Sequence, residues 1–94
     1  MNDDKTFKDL IKSLFNSYKM GDKYEEISIV NSWEEIVGKM IAQKTSKLYI
    51  RDRVLHVNVN SAPLKNELRY HKLVLIEKVN KFAQKEIIKD INFY

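Results

Sequence analysis

The chain has 94 residues, 44 % apolar and 32 % charged, with two glycines, one proline, no cysteine and a formal net charge of +4. That length fits one domain with few apolar side chains to spare beyond a core, and the composition excludes disordered, collagen-like and linker-rich chains. The lack of cysteine excludes disulfides, thiolate nucleophiles, zinc ribbons and iron–sulfur clusters, while the modest charge leaves an anionic polymer open as a partner.

The opening MNDDKTFKDL is acidic without an apolar run, unlike a signal peptide, and no stretch approaches the ~20 apolar residues of a membrane span. A cytoplasmic protein is expected, one domain over residues 1–94 with residues 1–5 flexible. From Thr6 to Met20, Phe7, Leu10, Ile11, Leu14, Phe15 and Tyr18 recur at spacings of three and four, which predicts an amphipathic helix ended at Met20-Gly21-Asp22-Lys23. A short apolar stretch follows over Ile27 to Val30. Ser32 and Glu35 then have the form of a capping box, ahead of Trp33, Ile36, Val37, Met40 and Ile41 at helical spacing. Trp33 is expected to be buried. Gly38 lies inside this second helix, where a close neighbour would account for it.

After Thr45 the period changes from 3.6 to 2. Leu48 and Ile50 alternate with Tyr49 and Arg51, and Leu55, Val57 and Val59 alternate with Val54, His56, Asn58 and Asn60, which predicts a hairpin turning at Asp52-Arg53. Ser61, Ala62 and Pro63 open a new helix whose stripe is Leu64, Leu68, Leu75, Val79 and Phe82. Leu73 and Ile76 fall off that stripe, so a break is expected near Tyr70 to Lys72; His71 lies on it and is read as packed or at its edge. The alternation of Ile87, Ile91 and Phe93 with Ile88, Asp90, Asn92 and Tyr94 predicts a closing strand. A strand that follows a helical crossover usually pairs in parallel. The fold class is therefore α+β: N-terminal helices, a β-hairpin, a long or broken helix and a final β-strand, in a three-stranded mixed sheet.

No catalytic set assembles from these residues. His56 and His71 lack metal-ligand partners at a usable spacing, Glu34 and Glu35 point in different directions from one helical turn, and two isolated glycines make no phosphate loop. Neither an enzyme, a metal nor a cofactor is expected. Residues 1–40 carry six Lys and eight Asp+Glu, a balance of −2, whereas residues 41–94 carry eleven Lys+Arg and five Asp+Glu, a balance of +6. Lys44 and Lys47 flank the hairpin entry, Arg51 and Arg53 flank its turn, and Lys65, Arg69 and Lys72 follow at i, i+4 and i+7 along the helix. Such rows can track phosphates, although solvated helix flanks look alike; Lys78, Lys81 and Lys85 form a second row on the other flank of the stripe. Tyr49, Tyr70 and Tyr94 would add base stacking if exposed. A protein partner could instead meet Leu73, Val74 and Ile76 where they leave the stripe.

Three stretches together resemble the DciA-like family: Trp33-Glu34-Glu35-Ile36-Val37-Gly38 with Ile41-Ala42 and Thr45, the strand Val54-Leu55-His56-Val57-Asn58-Val59 running into Asn60-Ser61, and the helix with Glu67-Leu68 and Leu75 to Asn80. The resemblance covers about residues 5–94. It implies a KH-like domain of type II arrangement in a bacterial cytoplasmic protein that assists loading or operation of the replicative DNA helicase and has DNA affinity of its own, single-stranded or tailed DNA and the helicase being the implied partners. No GxxG loop is present, so the clamp that KH domains place on nucleic acid does not carry over. Many members have a basic or disordered tail beyond this domain, and here the sequence ends at Tyr94; where helicase or DNA contacts depend on such a tail, either the domain itself is expected to make them or its role is narrower. The alternative readings are a protein-interaction module without nucleic-acid binding and an RNA-binding KH-like protein.

Overall fold

A computed structural model describes residues 6–17 and 21–94. Its helices are α1 (Phe7–Ser17), α2 (Lys23–Asn31), α3 (Trp33–Val37), α4 (Lys39–Gln43), α5 (Ala62–Tyr70) and α6 (Lys72–Ala83), and its strands β1 (Thr45–Arg51), β2 (Val54–Val59) and β3 (Asp90–Phe93). The expected flexibility of residues 1–5 and the helical continuation through Tyr18 and Met20 lie outside the described residues. The sheet order is β1-β2-β3, with β1 and β2 antiparallel and β2 and β3 parallel, the mixed sheet expected from the helical crossover.

The N-terminal third departs most from expectation. The capping box is Thr6 and Asp9, not Ser32 and Glu35: the Thr6 hydroxyl accepts from Asp9 N–H at 3.1 Å and the Asp9 carboxylate from Thr6 N–H at 3.3 Å. Ser32 makes no side-chain cap, because α2 already supplies the preceding helical turn and Ser32 N–H donates back to Ser28 O at 2.9 Å. The stretch Ile27–Val30 is part of α2, a helix whose single deeply buried apolar residue, Ile29, leaves no stripe to read. On α1 the stripe is real but largely uncovered: Phe7, Leu10 and Leu14 are exposed, and the helix is tied to α2 by Lys12, whose Nζ lies 3.1 Å from the buried Glu25 carboxylate. Gly38 separates α3 from α4 with φ 96° and ψ 163°, and a Cβ there would meet no heavy atom within 4 Å. The glycine thus serves backbone conformation, not close packing.

The core lies between the helices and one sheet face, from Leu55, Val57, Val59, Ile91 and Phe93 of the strands to Ile29, Trp33, Ile36, Leu68, Leu75 and Val79 of the helices. Trp33 is buried as expected, and its Nε1–H donates to Thr45 Oγ1 at 3.0 Å, fastening α3 to the start of β1. The break between α5 and α6 falls at His71, within the expected window. Ser61 caps α5 by accepting from Leu64 N–H at 3.3 Å, with Pro63 in the first turn. Closing-strand alternation begins only at Asp90. Ile87 and Ile88 are both buried, side by side, in a loop pinned by Asn80, so the expected strand over 87–94 is shorter.

Candidate nucleic-acid interface

Strand alternation gives the sheet a second face, on which Lys47, Tyr49, Arg51, Asn58 and Asn92 are exposed. The hairpin turns at Asp52 (φ 53°) and Arg53 (φ 63°), two consecutive positive values of the kind a type I′ turn requires. Counting outward from that turn fixes the pairs Arg51 with Val54, Tyr49 with His56 and Lys47 with Asn58, all on the open face, while Ile50 with Leu55 and Leu48 with Val57 face the core. Parallel pairing then adds Asn92 beside His56 and Asp90 beside Val54. Between Thr45 and Lys47 the β1–β2 register shifts by a bulge at Ser46, whose hydroxyl donates to Asn58 O at 3.3 Å.

On this face three rings stack, one from β1, one from β2 and one from the residue that follows β3. The Tyr49 and His56 centroids are 4.6 Å apart with planes 9° from parallel, and those of His56 and Tyr94 are 5.7 Å apart at 12°. His56 Nδ1 and the Tyr94 hydroxyl share a hydrogen bond of 2.7 Å, which fixes the outer ring. Lys47 Nζ lies 5.4 Å from the Tyr49 centroid, a cation–π distance. Lys47, Tyr49, His56, Asn58 and Tyr94 line a shallow, open hollow of about 290 Å³. Arg51 continues the β1 row beyond Tyr49, exposed. Asp90, also on this face, is paired with Lys72 at 3.2 Å.

The predicted cations divide into two groups. Lys44, Lys47, Arg51 and Lys65 make no ion pair among the described residues. The other three have partners within the chain. Arg53 donates to Glu86 O at 3.1 Å and lies 3.7 Å from its carboxylate, Arg69 donates to Phe93 O at 3.1 Å on the free edge of β3, and Lys72 pairs with Asp90. Lys47 and Arg51 lie on β1 while Arg69 and Lys72 reach β3, two strand spacings or about 10 Å away. Of the second row, Lys85 is bound to Asp22 at 2.7 Å, and a 100° helical step places Lys78 and Lys81 about 120° and 180° round α6 from Lys72. Lys72, the one member of the first row on α6, therefore lies on a different side of that helix from Lys78 and Lys81, while Lys65 and Arg69 belong to α5.

Tyr70 is exposed on α5, away from the ring stack, and is followed by His71, which is exposed and lies 3.4 Å from the Glu67 carboxylate. Leu73 and Val74 are 76 % and 57 % exposed, whereas Ile76 packs against the core. Sequence reasoning missed His56 and Asn58, although the two-residue turn alone places them opposite Tyr49 and Lys47. No group of three or more His, Cys, Asp or Glu side chains converges on a metal-sized site among the described residues, and no helix there is long and apolar enough to cross a membrane.

No curated protein and no solved structure matches the chain. The family model described as "Dna[CI] antecedent, DciA" matches residues 6–93, nearly the whole chain. The chain thus belongs to the DciA family, which is associated with helicase loading in bacterial replication.

Proposed function

We propose that this protein is a non-enzymatic cytoplasmic adaptor that contacts the replicative helicase and holds DNA directly, with Lys47 and Arg51 as the principal phosphate contacts and Lys44 and Lys65 as secondary ones. Arg53, Arg69 and Lys72 have a smaller share, because each would have to leave or share an intramolecular partner. The fold reading that accompanies it is a single KH-like unit of type II arrangement, which draws on the order of helices, antiparallel hairpin, helices and parallel closing strand. The observation that carries the proposal is the exposed sheet face, where two cations with no ion pair among the described residues flank an exposed tyrosine and Asp90 is already paired with Lys72. Cations so placed can replace the counterions condensed on a phosphate backbone, and the displaced ions make affinity fall with salt.

Anisotropy of labelled tailed DNA across a salt series tests this. Binding that weakens steeply with salt is expected, and Lys47→Glu with Arg51→Glu should lower affinity at least tenfold and flatten the salt slope by about two. Absent or salt-indifferent binding would sink the reading. A second reading, protein recognition alone, draws on the contiguous exposure of Tyr70, Leu73 and Val74. Capture of the replicative helicase in high salt, abolished by Leu73→Asp with Val74→Asp while DNA binding is absent, would favour it.

A further inference from the structure

We infer that the hollow beside the Tyr49–His56–Tyr94 stack is a seat for an unpaired base of single-stranded DNA, an inference that rests on the DNA-holding reading above and assigns the strand form it takes. The stack runs across the strands, from β1 through β2 to the residue after β3. Lys47 Nζ lies over the Tyr49 ring, so the half-exposed Tyr94 is the end of the stack left, among the described residues, for a further planar group. The hollow of about 290 Å³ borders all three rings and has Asn58 and Lys47 on its rim. A carboxamide can donate to and accept from a base edge, and an ammonium beside it can meet the adjoining phosphate.

Charge and shape select the occupant. Lys47 at the hollow and Arg51 along the same strand call for an anionic ligand, and the rings call for one with flat apolar faces at short intervals. A nucleic-acid strand supplies both. In a duplex the bases are paired and stacked on each other, so their faces cannot reach rings standing on a sheet; an unpaired strand presents them freely. The partial alternative is that the rings simply satisfy one another, since the 2.7 Å bond from Tyr94 to His56 already engages both polar tips. That bond, however, engages the polar tips and not the ring faces, and Tyr94 stays half exposed.

The experiment uses the full chain with labelled oligo(dT), oligo(rU) and a blunt duplex at fixed low salt. Tyr49→Leu and Tyr94→Leu should each weaken oligo(dT) about tenfold and leave duplex affinity within about twofold, since stacking acts on unpaired bases only. Tyr49→Trp should restore the loss. Asn58→Asp, an exposed change that leaves the rings intact, should weaken oligo(dT) by placing a negative charge at the hollow, and it keeps the test open if a tyrosine variant unfolds. Unchanged oligo(dT) affinity in Tyr49→Leu and Asn58→Asp, or equal losses on duplex, would overturn the stacking seat while the phosphate-contact reading stands. Tighter binding of oligo(rU) than of oligo(dT) would overturn the choice of DNA. Failure of the unaltered protein to bind any of the three would remove the DNA-holding reading itself.

Discussion

The Asn80 side chain on α6 grips the Ile88 peptide from both ends: its Oδ1 accepts from Ile88 N–H at 3.0 Å and its Nδ2 donates to Ile88 O at 3.0 Å. Oδ1 also accepts from Ile87 N–H at 2.9 Å. One carboxamide thereby satisfies the backbone of a loop that must bury two successive isoleucines before β3 begins. Asn80→Ala removes three partly buried hydrogen bonds at once and should cost about 2–3 kcal/mol, read from urea unfolding. Asn80→Asp keeps the acceptor but sets a carboxylate oxygen against Ile88 O, so it should be destabilising as well. A loss below about 0.5 kcal/mol in Asn80→Ala would mean that water replaces the carboxamide without penalty.

Gly38 offers a test in which space and backbone conformation point in opposite directions. A Cβ there meets nothing within 4 Å, so a steric reading predicts a harmless Gly38→Ala. Its φ of 96° with ψ of 163° lies in a region that is close to glycine-only, where an alanine costs about 1–3 kcal/mol. We expect the conformational cost to prevail, with a correspondingly lower unfolding midpoint. A variant at least as stable as the original, with more helical signal in far-ultraviolet circular dichroism, would indicate instead that α3 and α4 had fused into one helix.

Periodicity made the hairpin, the break at His71 and the parallel closing strand legible, because each depends on a local change of pattern that buried positions such as Leu55, Leu75 and Ile91 enforce. Where burial is slight the pattern misled. Helix α2 has Ile29 as its one deeply buried apolar residue, so its helicity showed no stripe, while the clear stripe of Phe7, Leu10 and Leu14 is mostly left in solvent. At the candidate site Tyr49 and Tyr94 were found by residue type, and Lys47 and Arg51 by their places beside the hairpin entry and turn. His56 and Asn58 were not, because a histidine or asparagine in a strand gains meaning only from its cross-strand neighbours. Arg53, Arg69 and Lys72 resembled phosphate contacts for the converse reason: spacing shows a row of cations but not the carbonyls and carboxylates they reach.

Arg53 sits in the turn with φ 63°, a left-handed conformation that costs a non-glycine residue about 1–2 kcal/mol. Its compensation is the exposed contact with Glu86, worth about 0.5–1 kcal/mol, since exposed pairs are screened. Arg53→Gly relieves the first and forfeits the second, and glycine adds some unfolded-state entropy. Stability should remain within about 1 kcal/mol of the original by urea titration. A drop of about 2 kcal/mol or more would show that Arg53 anchors the 84–89 loop far more strongly than an exposed pair should.

Asp90 links stability to pH at the acid end. Its carboxylate accepts from Ile91 N–H at 2.8 Å and lies 3.2 Å from Lys72 Nζ. The backbone hydrogen bond is the main cause holding its pKa below the ordinary 3.8, with Lys72 and Lys89 adding to it and burial partly opposing. A carboxyl depressed on folding contributes stability that is fully present above its unfolded value and is lost as pH falls through its folded value. The urea midpoint should therefore decline on acidification from about 3.8 downward, and Asp90→Asn, which can still accept from Ile91 N–H, should decline less over that window. The side chain is 46 % exposed, so screening keeps the contribution small and the diagnostic quantity is the difference between the two pH profiles. Parallel profiles would show that the charge on Asp90, as distinct from its hydrogen bond to β3, does not help hold the edge strand.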